Sequence, residues 1–189
     1  MSKFTVIGVL MVVVLIAVFG YIIVNDIQFD AAQEDSNNES VTMLSDSKGG
    51  VVVEYPSNWV LSNSTSNDSI IAVSKGNSVD SFQIGQVNVN VEKRGLDEGF
   101  DSFLNRTYTN IGADPAFQLV SSGDISVNGH DAVEYIYTSS SVDGSVRQHK
   151  AIWFEKNNCA YVIMYSAPVD QFEANLPAAD YIIEHININ

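Results

Sequence analysis

Residues 125–137 read ISVNGHDAVEYIY. Two runs rich in Ile, Val and Tyr flank a single Asn128-Gly129 step, and Asn-Gly between such runs signals a two-residue hairpin, because both central residues of that turn take positive φ. Two further turn signals follow, Asp143-Gly144 and Asn157-Asn158. They divide the second half of the chain into four strands, 117–127, 131–139, 146–156 and 159–167, connected as an antiparallel meander. The last of these, CAYVIMYSA, is apolar on both faces and belongs at the centre of its sheet.

Moving outward toward the N-terminus, VVVEYPSNWVLS (51–62) stops being apolar at Tyr55-Pro56 and resumes at Trp59. Three β-branched valines favour a strand, whereas Pro56 lacks the amide proton of a central ladder and ends it. Ser57-Asn58 suits a turn, so the break is a corner, with the indole of Trp59 laid on the core. Ile70 to Val73 form another strand, ending at Gly76-Asn77. Val87, Val89 and Val91 alternate with Asn88, Asn90 and Glu92, the period of a half-buried strand, while Phe82 and Ile84 alternate in the opposite phase. Gly85 between them is read as a β-bulge.

Two helices complete the pattern. Residues 97–110 place Phe100, Phe103, Leu104 and Tyr108 on one face, with acidic residues in the first turn. Asp170 to Glu173 reads as a capping box opening a second helix; Pro177 starts its second stretch, and Ile182, Ile183 and Ile186 supply the buried stripe.

The Y-P-x-x-W corner, the alternating valine strand, the Phe-rich helix, the hairpin in ISVNGHDAVEYIY, the K-A-I-W-F strand, the Tyr-rich central strand and the final helix with Phe172 and Tyr181-Ile-Ile-x-x-Ile come in an order that resembles the PsbP-like family over residues 41–188. The resemblance implies an α+β fold, an antiparallel sheet flanked by helices in an α/β/α sandwich, as in a Ran-binding nuclear import factor. It also implies a non-enzymatic role, since plant members are extrinsic lumenal subunits of the oxygen-evolving complex of photosystem II. This chain departs from those members: it has no chloroplast transit peptide and no basic surface, so the fold and the non-catalytic role are the expectations and the photosynthetic role is not. Calcium and manganese have been linked to the family, but no such site matches residue by residue, and no cofactor is expected.

Lys3 is the sole charge before Asp26, and residues 4–24 carry none. A helix of that length covers roughly 31 Å at about 1.5 Å per residue, against a hydrocarbon core of about 30 Å. The run exceeds the apolar region of a cleaved signal peptide and lacks its small-residue cleavage site, so one N-terminal transmembrane helix, residues 1–24, is expected as a retained anchor. Cys159 is too distant to carry a lipid after it. The positive-inside signal keeps the N-terminus in the cytoplasm and exports the rest. Residues 25–40, acidic and rich in Asn and Ser, read as a flexible tether, and residues 41–189 as the extracytoplasmic domain. A lone cysteine forms no intramolecular disulfide, so that domain stands on its core.

The net charge of −14 makes nucleic acid a poor partner, because no basic patch offsets the repulsion. A protein partner at the membrane or envelope is expected instead, or alternatively a small ligand or divalent cation. Asp124-x-Ser126-x-Asn128-Gly129 matches half of an EF-hand loop, but the twelfth position is Tyr135, so the hairpin reading stands and no metal ligand is assigned. His130, His149 and His185 form no ligand motif, and no nucleophile elbow, phosphate loop or dinucleotide fingerprint occurs. Asn38, Asn63, Asn67 and Asn105 head glycosylation sequons, no more than composition supplies. Tyr135, Tyr137, Trp153, Phe154, Tyr161 and Tyr165 gather on adjacent strands; they are core rings, or the lining of a ligand groove.

Overall fold

The computed structural model describes residues 42–141 and 143–189. The anchor, the tether and Asn38 lie outside those residues. Among the described residues, no helix is long and apolar enough to cross a membrane.

The meander forms as its turns dictate: β6 (Gln118–Val127), β7 (His130–Ser140), β8 (Val146–Lys156) and β9 (Cys159–Pro168) follow one another antiparallel. Asn128 and Gly129 sit at φ 51° and 79°, and Asn157 and Asn158 at 52° and 56°. Asn tolerates this left-handed region better than other side-chain-bearing residues, which is why these two steps turn the chain in two residues. On the other side of β9 lie β5 (Asn88–Gly95), β4 (Ser69–Lys75) and β3 (Trp59–Ser62), giving a seven-stranded sheet in the order β3-β4-β5-β9-β8-β7-β6 with CAYVIMYSA at its centre.

Alternation along the central strands sends side chains into two cores. On β8, Ala151 and Trp153 join Phe103 and Leu104 of α1 (Phe100–Ile111), whereas Ile152 and Phe154 join Phe172 and Ile182 of α2 (Phe172–Glu184). The helices therefore cover opposite faces. This is the PsbP-like arrangement of antiparallel strands and two helices, and it is mostly sheet.

The face under α2 carries something the sequence did not announce. A second, three-stranded sheet, β1 (Met43–Lys48), β2 (Val51–Pro56) and β10 (Asn187–Ile188), packs there through Val51, Val53 and Tyr55. The corner at Pro56 consequently hands the chain from one sheet to the other. Pro56 pairs only with Met43, since β10 reaches no further along β2 than Val52, so its missing N–H faces no partner strand. Trp59, the first residue past the turn, is 1 % exposed.

Three local readings need correction. Phe82 and Ile84 are not a strand. Asp80 Oδ1 accepts the backbone N–H of Phe82 (2.8 Å) and of Ile84 (2.9 Å), Gln83 takes φ 60°, and this local closure outcompetes a ladder. Gly85 is no bulge; a Cβ there would lie 2.2 Å from Ser74 Cβ and Oγ, so the residue permits a close approach to β4. The bulges fall instead at Ser69/Ile71 and Leu119/Ser121. Finally, α2 forms no capping box: its N-cap is Gln171 without a side-chain bond, and Pro177 sits inside one continuous helix. Asn175 Nδ2 donates back to Gln171 O (2.8 Å) while its Oδ1 accepts Lys75 Nζ (2.7 Å), fixing the first turn to β4.

Candidate functional site

Since Val89 and Val91 of β5 enter the core under α2, Asn88, Asn90 and Glu92 stand on the face shared with α1. Register brings polar partners beside them. Asn88 lies opposite Ser74 on β4 and Ser166 on β9; Ser166 lies opposite His149 on β8, and His149 opposite Tyr137 on β7. Directly opposed residues share a face, so one polar band crosses the middle of the large sheet. α1 covers the sheet around Trp153, Ala160 and Val162 and leaves this band open. The result is a cleft of about 530 Å³, walled by the loops around Asn63–Ser66 and Asp80–Gln86 and by Ser140, Ser141, Asp143 and Arg147, and floored by Asn90, Met164, His149 and Ser166.

Its floor is unusually polar for buried surface. Glu92 is 2 % exposed, and its carboxylate accepts Asn90 Nδ2 (2.9 Å) and Arg94 Nη2 (2.7 Å). Arg94 Nε continues to Asp68 (3.1 Å), so the buried negative charge is neutralised within the fold. Asn90 Oδ1 accepts Ser69 Oγ (2.6 Å), which completes the amide. A buried carboxylate of this kind persists only when paired, and removal of Arg94 would strand it.

His149 sits between two hydroxyls, Nδ1 to Ser166 Oγ at 2.7 Å and Nε2 to Ser139 Oγ at 3.1 Å, with its ring stacked on Tyr137 at 4.9 Å. Burial, and then the adjacent Arg147 charge, push its pKa down to about 4. A Ser–His contact resembles a nucleophile and its base, but a base this weak takes little of a hydroxyl proton, and the neighbour that should stabilise an imidazolium is here a guanidinium. Arg147, 7 % exposed, donates Nη1 to Gln86 Oε1 (2.6 Å) and Nη2 to Gln86 O. The arrangement offers hydroxyl, amide and guanidinium contacts suited to recognition.

The expected aromatic groove is divided between two cores. Tyr135, Tyr137 and Trp153 lie under α1, where Trp153 Nε1 donates to Tyr108 Oη (3.0 Å) and Tyr108 stacks on Tyr135 at 3.8 Å. Phe154, Tyr161 and Tyr165 lie under α2, and Tyr165 Oη donates to Phe172 O (2.8 Å). Strand alternation separates them, since residues one apart face opposite ways. None of these rings lines the cleft, and Tyr137 stacks on His149, which does.

The other named positions scatter. Asn63, Asn67 and Asn105 are exposed, and Asn63 Nδ2 donates to Phe82 O (3.0 Å) at the cleft wall. His130 stacks on Phe154 and His185 on Tyr181, so His130 and His149 do not meet. Asp124 and Ser126 are on β6 and Asn128 is in the hairpin, its Nδ2 donating to Ile186 O (2.6 Å) and Ile183 O (3.1 Å) at the end of α2. Among the described residues, no group of three or more His, Cys, Asp or Glu converges on a metal position.

The sequence matches the family described as PsbP-like protein over residues 5–188. Cyanobacterial PsbP from Synechocystis sp. PCC 6803 superposes with a TM-score of 0.52 at 15 % identity, over 79 % of this chain and 92 % of that one. LpqN of Mycobacterium tuberculosis, described as involved in cell envelope biogenesis, superposes with a TM-score of 0.51 at 16 % identity, over 80 % of this chain and 93 % of its own. No curated protein matches.

Proposed function

The chain belongs to the PsbP-like protein family, and from that premise we propose that it is a non-catalytic recognition module, held outside the membrane by its N-terminal span and serving a membrane or envelope partner as an accessory subunit. The observation that supports this reading is the cleft: its buried hydroxyl, amide and guanidinium groups suit binding and orientation, and burial beside Arg147 disfavours its single histidine as a general base. The charge-free run of residues 4–24 supports the anchor, and the envelope role described for the similarly folded LpqN agrees with the location.

The test is in-cell cross-linking of the tagged full-length protein, purified in detergent after carbonate extraction. A reproducible membrane or envelope partner, lost on deleting residues 41–189, is the expected result. Release of the protein by carbonate would overturn the anchor, and recovery of the protein alone would overturn the accessory role.

A second reading, a small-ligand binder, is favoured by one observation, the buried guanidinium of Arg147 in the cleft, with no acid of the described residues within salt-bridge distance. Its divalent-cation version predicts a melting midpoint that rises with calcium, manganese or zinc, and no shift at millimolar metal removes that version.

A further inference from the structure

Arg147 is the one arginine of the described residues without an acidic partner: Arg94 pairs with Glu92 and Asp68, and Arg106 with Glu98 and Asp97. Yet Arg147 is the most deeply buried of the three, at 7 % exposed. A guanidinium withdrawn from water is costly unless an anion offsets the lost hydration, and this chain has 23 acidic residues from which one might have been placed there. No acid of the described residues lies within salt-bridge distance of Arg147; Asp143 acts on it only at longer range. Asp80 closes its own loop onto Phe82 and Ile84, Asp143 accepts Ser145 N (2.9 Å) and Oγ (2.6 Å), and Glu92 holds Arg94 and Asn90. Of the five N–H donors of Arg147, two go to Gln86, and both acceptors there are neutral. Gln86 thus fixes the plane of the fork, and Arg147 lines the cleft.

The shape of the missing anion follows from what surrounds the fork. Asp80 and Asp143 stand on the walls, and the chain carries a net charge of −14, so each added negative charge on a ligand adds repulsion, and a singly charged group is favoured over a doubly charged phosphate. A carboxylate carries one charge and matches the fork in two parallel bonds. Beyond it the walls present hydroxyls and amides, among them Ser64, Ser66, Asn88 and Ser141, which suit several neighbouring hydroxyls on one ligand. The volume of about 530 Å³ far exceeds a bare carboxylate and lies within the ordinary range of small-molecule sites.

We propose that the cleft binds a carboxylate-bearing sugar of the uronic acid class, its carboxylate on Arg147 and its ring hydroxyls on the Ser and Asn side chains of the walls. This assignment rests on the small-ligand reading of the cleft. The probes are glucuronate, glucose and inorganic phosphate, titrated by ligand-observed NMR and thermal melting against the full-length protein in mild detergent. Glucuronate should bind at least tenfold more tightly than glucose or phosphate. Arg147→Gln and Arg147→Lys should each weaken it at least tenfold, the lysine variant because it keeps the charge but loses the fork. Should either variant fail to fold, Asn88→Ala provides the independent check and should weaken glucuronate severalfold. Equal binding of glucose and glucuronate, preferred binding of phosphate, or wild-type affinity in the Arg147→Lys protein overturns the uronate assignment while leaving a ligand cleft. Silence from all three probes overturns the uronate assignment; the ligand reading falls with it only if the metal melts also show no shift, and the accessory role is decided separately by the cross-linking.

Discussion

Acidification should unfold this domain through His149 before its carboxylates matter. In the unfolded chain the imidazole titrates near its ordinary value of 6.5, whereas in the fold burial and Arg147 hold it at about 4. Between those values the unfolded chain binds a proton that the folded chain does not, so stability rises with pH across the window and is lost as pH falls from about 6.5 toward 4. At about 1.4 kcal/mol per pH unit, the full difference is roughly 3 kcal/mol below pH 4, and about 2 kcal/mol is already lost at pH 5. Burial and Arg147 on β8 set this shift, and the ring faces Ser139 and Tyr137 on β7 and Ser166 on β9. Urea unfolding followed by fluorescence of the two tryptophans, both buried, measures it at pH 8, 6 and 5 for the wild type and for His149→Gln. Every other titrating group is common to the two proteins, so the difference in slope isolates the imidazole. The wild type should lose about 2 kcal/mol more than the variant between pH 8 and pH 5. Parallel curves would refute the reasoning, because they would mean that the ring accepts its proton in the cleft as readily as in water.

Three structural substitutions extend the test. Gly85→Ala should lower stability by about 2 kcal/mol, since its Cβ collides with Ser74, and adding Ser74→Gly should restore part of the urea midpoint. Asn128→Gly keeps the positive φ but releases the carbonyls of Ile183 and Ile186, at a cost of about 1–3 kcal/mol, whereas Asn157→Gly at the equivalent place in the β8–β9 hairpin should change stability by less than about 0.5 kcal/mol. Trp153→Phe leaves the Tyr108 hydroxyl without its indole donor and should cost about 1–2 kcal/mol, read as a fall in melting temperature.

The meander was legible because its information is local: Asn128-Gly129 and Asn157-Asn158 specify turns whatever lies beyond them, and alternation then determines which residues face which core. The corner at Pro56 was legible for the same reason. The small sheet was not, since β1 reads MLSDSK with little apolar content and β10 is two residues long; β1 exists through pairing with its neighbour β2, and β10 through pairing with β2 from the far end of the domain. Residues 80–86 misled because an alternating Phe and Ile was weighed while the side chain of Asp80, which bonds two nearby amides, was not. The cleft was missed for a different reason. Its members are spread over β5, β7, β8 and β9, and strand pairing alone assembles them; the available signal was that Asn88, Asn90 and Glu92 are in phase with one another on a strand next to the centre, where polar side chains need partners. Grouping the tyrosines by sequence proximity failed in turn, because neighbours along a strand are sent to opposite faces.

The small sheet closes on the last residues of the chain. Asn187 and Ile188 pair with Val52 and Val51, Asn189 N donates to Gly50 O (2.9 Å), and Lys156 Nζ reaches Ile188 O (2.5 Å). β2 is synthesised early and β10 far later, so the nascent domain carries a bare strand edge until β10 emerges. The same dependence bears on handling the protein. A fusion joined directly after Asn189 crowds its contact with Gly50, and removing residues 187–189 uncovers β2 and withdraws Ile188 from the core, so a fusion there belongs behind a flexible linker.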